Sequence, residues 1–121
     1  MPLVQIRRNP RTIDQFVLKA LSDKLPAVTA GILSCKEGGI LAPKDIMVEF
    51  DDMSPYDTNC KDIHIRVWAH DYPARRGKDL AALDSIRERI AEEVLKHLPA
   101  GVSWYVWVLL APTSYGSDTE S

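Results

Sequence analysis

Two stretches of helical periodicity, each flanked by short segments that alternate apolar and polar residues, divide this chain into two similar halves. In the first half a strand over residues 3–7 stops at the turn signal Asn9-Pro10. Ile13, Phe16, Val17, Ala20 and Leu21 then recur at helical spacing and predict one apolar face against a sheet. Thr12 and Gln15 have the spacing of a capping box at the start of that helix. Pro26 cannot donate to the Ser22 carbonyl, so it predicts a kink or a stop, with a second helical piece over 27–33. Lys36-Glu37-Gly38-Gly39 reads as a turn. Beyond it Ile46, Val48 and Phe50 alternate with Met47 and Glu49 as a half-buried strand.

After a polar, turn-rich segment over 51–62, Ile63, Ile65 and Val67 alternate with His64, Arg66 and Trp68 in a third strand whose other face is polar and aromatic. Leu80, Leu83, Ile86, Ile90, Val94 and Leu98 step by three or four and predict a helix over 78–98, ended by Pro99 and Gly101. A strand over 102–110, apolar on both faces, completes the order β-α-β-β-α-β. The phrases that trail the second strand of each half are also alike: Met53-Ser54-Pro55-Tyr56-Asp57, and Ala111-Pro112-Thr113-Ser114-Tyr115-Gly116. In each half the helix crosses between two strands, which predicts that the pair is parallel. Residues 1–113 are expected to form a single domain, with 114–121 a frayed tail.

At 121 residues with 45% hydrophobic and 26% charged residues, the chain has the composition of one globular core. Its net charge of −2 supplies no cationic field for nucleic acid or an anionic membrane, so neither is expected as a partner. No apolar run reaches the length of a membrane helix, and no signal peptide is evident, which predicts a cytoplasmic protein. Cys35 and Cys60 lack ligand spacing and read as reduced structural thiols, so no metal and no cofactor is expected. Asp51-Asp52 has no third ligand and reads as a solvated turn. No Gly-x-Ser-x-Gly elbow surrounds Ser54, Ser103 or Ser114, which leaves a hydrolase reading without support. His70-Asp71 are neighbours that point apart on a strand end, and His97 sits where a helix C-terminus favours a cation. Trp68, Trp104 and Trp107 read as core or subunit packing.

Pro2 opens the first strand. Removal of Met1 would expose a secondary amine; an ordinary α-amino group titrates near about 7.7–8.0, and burial or nearby cations lower such a value, which predicts a neutral base at cellular pH. With Met1 retained, the same nitrogen is a tertiary amide without a basic lone pair.

These residues carry a resemblance that covers nearly the whole chain: the Met1-Pro2 start, the strand Pro2-Leu3-Val4-Gln5-Ile6, the segment Arg11-Thr12-Ile13-Asp14-Gln15, the segment Ala42-Pro43-Lys44-Asp45-Ile46-Met47-Val48, and the repeated layout. The sequence resembles the tautomerase superfamily, which includes 4-oxalocrotonate tautomerase, 5-carboxymethyl-2-hydroxymuconate isomerase, malonate semialdehyde decarboxylase and macrophage migration inhibitory factor. The length is similar to that of the fused two-unit members. The resemblance implies an α+β fold of duplicated β-α-β units, with a four-stranded mixed sheet and two helices on one face, assembled as a homotrimer.

It further implies a cofactor-free tautomerase, an isomerase that moves a proton on a small carboxylated keto or enol substrate with Pro2 as general base. Arg11, Arg75 and Arg76 would hold the substrate carboxylate, since a guanidinium grips it with two parallel bonds, and Tyr56 would supply an aromatic wall. The second-strand arginine of the shorter members is matched here by Met47, which cannot bind a carboxylate, and the segment over 25–41 is longer than in those members. Hydration or decarboxylation on the same scaffold, and a non-catalytic binding or assembly protein, are the alternatives. A ferredoxin-like domain shares the element order but pairs neighbouring strands antiparallel.

Overall fold

The computed structural model describes residues 2–114 and 116–118. Strand β1 (Leu3–Arg8) leads to helix α1 (Gln15–Leu33), a 3-10 turn at Pro43–Asp45 and strand β2 (Met47–Asp52). Strand β3 (Ile63–His70), the short helix α2 (Pro73–Arg76), a 3-10 turn at Lys78–Leu80, helix α3 (Ala81–Leu95) and strand β4 (Trp104–Ala111) follow. The four strands form one sheet in the order β2-β1-β3-β4. β1 pairs parallel with β2, β3 pairs parallel with β4, and the inner strands β1 and β3 pair antiparallel. Each strand-helix-strand half is therefore a parallel unit, and the parallel pairs rule out the ferredoxin-like alternative.

One face of the sheet is buried under the helices. Val4, Ile6, Ile63, Ile65 and Val67 meet Val17, Leu21, Leu25 and Leu33 of α1 and Ile86, Ile90 and Val94 of α3 in a single core. Each such side chain, removed fully from water, contributes about 1.5–3 kcal/mol.

Four local expectations need correction. The cap of α1 is Asp14, whose carboxylate accepts from the amides of Phe16 and Val17. Thr12 instead donates to Asp62 at 3.0 Å, so the Thr12/Gln15 capping box does not form. The buried face of the helix runs through Val17, Leu21 and Leu25, and Phe16 points to solvent, 84% exposed. Pro26 lies inside a continuous helix, since Leu25, Thr29, Ala30 and Leu33 keep one buried stripe on both sides of it. The third helical segment begins at Ala81, and Leu80, with φ of 64°, is exposed outside the core. α2 was not apparent from periodicity, being only four residues long. The expected tail falls partly outside the described residues, at Tyr115 and 119–121.

Among the described residues no helix covers the opposite face of the sheet. Cross-strand register arranges it in rows: Asp51, Arg7, His64 and Tyr105; then Glu49, Gln5, Arg66 and Trp107; then Met47, Leu3, Trp68 and Leu109. It is charged at the end where β1 finishes and apolar at the end where β1 begins.

Candidate active site

Pro2 is buried at the apolar end of the sheet, where its carbonyl accepts from the Met47 amide at 3.1 Å. The register of Leu3 with Met47 and Trp68 carries Pro2 to the level of Ile46 and Ala69. Both of those flanking residues are buried.

The chain leaving β3 at this end returns a cation to it. The N–H groups of Arg75 donate through Nε to the Leu33 carbonyl at 3.0 Å and through Nη1 to the His70 carbonyl at 3.1 Å. Only 4% of the residue is exposed, and its guanidinium lies 4.9 Å from the centre of the Tyr72 ring. The last turn of a helix leaves carbonyls without partners, and a cation there also suits the negative end of the helix dipole. Arg75 therefore acts first as a clasp between the end of α1 and the end of β3. Its remaining nitrogen, Nη2, makes no hydrogen bond among the described residues.

Arg76, the adjacent residue, is more exposed and donates through Nε to Asp71 at 2.6 Å. His70 turns away from Asp71, with Nδ1 accepting from the Thr113 amide at 3.2 Å. His70 and Asp71 thus have separate partners, and the segment after β4 is tied to the end of β3.

Arg11 and Tyr56 lie elsewhere. Both follow strands whose far ends are Arg8 and Asp52, so a whole strand of six residues separates them from Pro2. At about 3.3 Å per residue this is about 20 Å within one chain. Arg11 is exposed and Tyr56 is 91% exposed. The sequence-derived residues thus form two groups, Pro2 with Arg75 and Arg76 at one end and Arg11 with Tyr56 at the other.

The Arg11 end is organised by ion pairs. Arg7 bridges Asp51 at 2.9 Å and Asp57 at 2.6 Å, and Arg8 pairs with Asp52 at 2.8 Å. The hydrogen bond from Arg7, with a second from the Ser54 amide, holds the Asp57 carboxyl below its usual range, and the same pair raises Arg7. Asp62 is lowered chiefly by the Ser103 amide, and also by the hydroxyls of Thr12 and Ser103.

Between the two ends, on the uncovered sheet face, sits a group whose β3 members are legible in the sequence only as a polar and aromatic alternation. His64 stacks on Tyr105 at 4.3 Å, Tyr105 on Trp107 at 5.0 Å, and Arg66 donates to the Tyr105 hydroxyl at 2.9 Å. Alternation along β3 signals that these residues share a face, but not what stands beside them on β4.

Solved structures of similar shape decide the architecture. N1, a member of the cis-3-chloroacrylic acid dehalogenase family, aligns over 95% of this chain and 81% of its own, with a TM-score of 0.65 and 18% identity. FG41 malonate semialdehyde decarboxylase, inhibited by 3-bromopropiolate, aligns over 97% and 91%, with a TM-score of 0.64 and 14% identity. MIF2 of Leishmania major aligns over 98% and 94%, with a TM-score of 0.57 and 20% identity. The chain has the tautomerase-superfamily fold. No protein-family model matches the sequence, and no curated protein matches it. At such identities the likeness is one of fold. Within the tautomerase fold of this chain, Pro2 opens an inner strand and Arg75 closes the same end from the turn after β3. Among the described residues no helix is long and apolar enough to cross a membrane.

Proposed function

We propose that this protein is a proline-dependent tautomerase that moves a proton between carbon and oxygen of a small enolisable keto acid. The observation that carries this reading is the burial of Pro2 at the sheet end clasped by the Arg75 guanidinium. Freed of Met1, the Pro2 amine would meet two influences that disfavour its charged form, burial and a nearby cation, and both lower its pKa. A neutral amine takes the proton, and a guanidinium stabilises the enolate oxygen as charge develops there. Arg75 would use Nη2 for this, and Arg76 would reach the carboxylate by exchanging Asp71 for substrate. Arg11 and Tyr56 join such a site only across a subunit boundary, so their role depends on assembly.

The apolar row of Met47, Leu3, Trp68 and Leu109 supports a homotrimer in which the uncovered sheet faces meet, since Trp68 and Met47 are 38% and 44% exposed. Exposed apolar area of this kind marks a contact surface. A cytoplasmic location fits the same reading.

A second reading, a binding or assembly protein without catalysis, is favoured by the engagement of both arginines in internal contacts and by Met47 in place of a cation. Mass spectrometry of the intact protein, followed by a 15N titration of the Pro2 amine, separates the two. A des-Met chain whose amine titrates below about 7.7, the ordinary α-amino value, supports catalysis; retained methionine or an ordinary titration supports the second reading.

A further inference from the structure

We infer that the helix layer holds an anion site, a small cleft between the end of α1, α2 and the start of α3 that binds a phosphate group between Arg75 and Arg89. The cleft has a volume of about 180 Å3. Its lining comes from the three helices and from Ser34 and Cys35 just after α1, so it lies on the helix-covered side of the sheet, away from the face proposed to meet other copies. Among the described residues Arg75 and Arg89 are the only charged groups that line it.

Arg75 is the deciding residue. It is 4% exposed, and the Leu33 and His70 carbonyls that take its Nε and Nη1 are neutral acceptors. No carboxylate pairs with it among the described residues. A buried charge without a counter-ion is unfavourable, and an anion that enters the cleft supplies one at Nη2, the nitrogen left open.

Arg89 brings a second guanidinium to the same cleft. It stands one turn after Ser85 on α3, so the two side chains share a face of that helix. The carboxylates around it have other partners: Arg87 lies 4.0 Å from Asp84 and 3.7 Å from Glu88, and Lys96 pairs with Glu93 at 3.3 Å. Arg89 and the Ser85 hydroxyl make no hydrogen bond or ion pair among the described residues. Glu92 lines the groove on the other side of Arg89 and lies outside the cleft. Two guanidinium groups and a hydroxyl therefore converge from two helices. Their two positive charges match a phosphate dianion, and donors from separate directions suit a tetrahedral oxyanion, whereas a planar carboxylate is satisfied by one guanidinium fork. In the tautomerase reading Arg75 Nη2 also serves the enolate oxygen, so phosphate in the cleft would oppose turnover; its binding there does not rest on that reading.

The test is a calorimetric titration of the full-length protein with inorganic phosphate at constant ionic strength, with sodium chloride as the matched control and with acetate and glycerol phosphate for comparison. Saturable binding of phosphate, and weaker binding of acetate, are expected. Glycerol phosphate bound as well as phosphate would assign the cleft to a phosphoryl group, and its exclusion would assign it to the free ion. Arg89→Ala should weaken phosphate binding about tenfold or more, the loss of a charge-assisted hydrogen bond. Arg87→Ala, which removes an equal charge from the same helix outside the cleft, should leave the affinity unchanged. No binding of phosphate beyond the chloride control, or the same affinity in the two variants, would overturn the assignment. Neither result depends on whether Pro2 is catalytic.

Discussion

Arg75 Nε donates to the backbone carbonyl of Leu33 at 3.0 Å, joining the turn after β3 to the last residue of α1. This bond, with the second one to His70, fixes the wall of the sheet end where Pro2 lies. Replacing Arg75 by Ala leaves two carbonyls unmatched in a buried setting. The variant is expected to lose about 2–4 kcal/mol of stability. Urea unfolding checks this as a lowered midpoint with an unchanged slope. Arg75→Lys, which keeps the charge but not the fork, should recover only part of the loss.

Gly77 closes the short helix that carries both arginines. Its φ is 67°, and a Cβ built there would lie 2.7 Å from the Ala82 Cβ and 2.9 Å from the Ala82 amide nitrogen. The left-handed region is tolerated by glycine and unfavourable for other residues. Gly77→Ala is therefore expected to cost about 1–3 kcal/mol and to displace Arg75 and Arg76 together. Thermal unfolding measures the first effect, and the NMR signals of the two guanidinium groups report the second.

The pH dependence of stability follows from His64 and the two low carboxyls. Burial, then Arg66 and Arg7, push the His64 pKa below its ordinary 6.5. As pH falls below 6.5 the unfolded chain takes up a proton that the folded chain refuses, so stability declines until the folded-state value is passed. Asp57 and Asp62 are lowered from 3.8, so their contribution is present above that pH and is lost on further acidification through their folded values. Urea midpoints should fall in two separate steps. His64→Gln should abolish the first step and leave the second.

Assembly through the uncovered face makes a separate prediction. Trp68, donating to Gln5 from the apolar end of that face, is 38% exposed in the single chain. Trp68→Glu would place a charge in the proposed contact, where an unpaired charge is strongly unfavourable. Sedimentation should show a trimer for the natural chain and a monomer for the variant; a natural chain that sediments as a monomer contradicts this part of the proposal.

Periodicity revealed those elements whose burial is local. The face of α3 is legible because Ile86, Ile90 and Val94 repeat at helical spacing, and the parallel pairing follows from a helix lying between two strands. Phe16 misleads because it stands about 100° round the helix from Val17, off the stripe of Val17, Leu21 and Leu25 that packs on the sheet. Pro26 misleads because one missing amide bond is outweighed by the continuous stripe of Leu25, Thr29, Ala30 and Leu33. At the site, a cationic pair before a helix suggests anion binding, but the carbonyls that hold Arg75 come from distant and local segments at once. The His64, Arg66, Tyr105 and Trp107 cluster depends on the register of β3 with β4, which the intervening helix hides from any linear pattern.

The ketonisation of phenylenolpyruvate by mature protein lacking Met1, measured beside Pro2→Ala under the same conditions, tests the account most directly. General base catalysis is worth about 10²- to 10⁴-fold, so the variant should lose at least about a hundredfold in rate while staying folded. Equal rates for the two proteins, whether both fast or both indistinguishable from buffer, would contradict it.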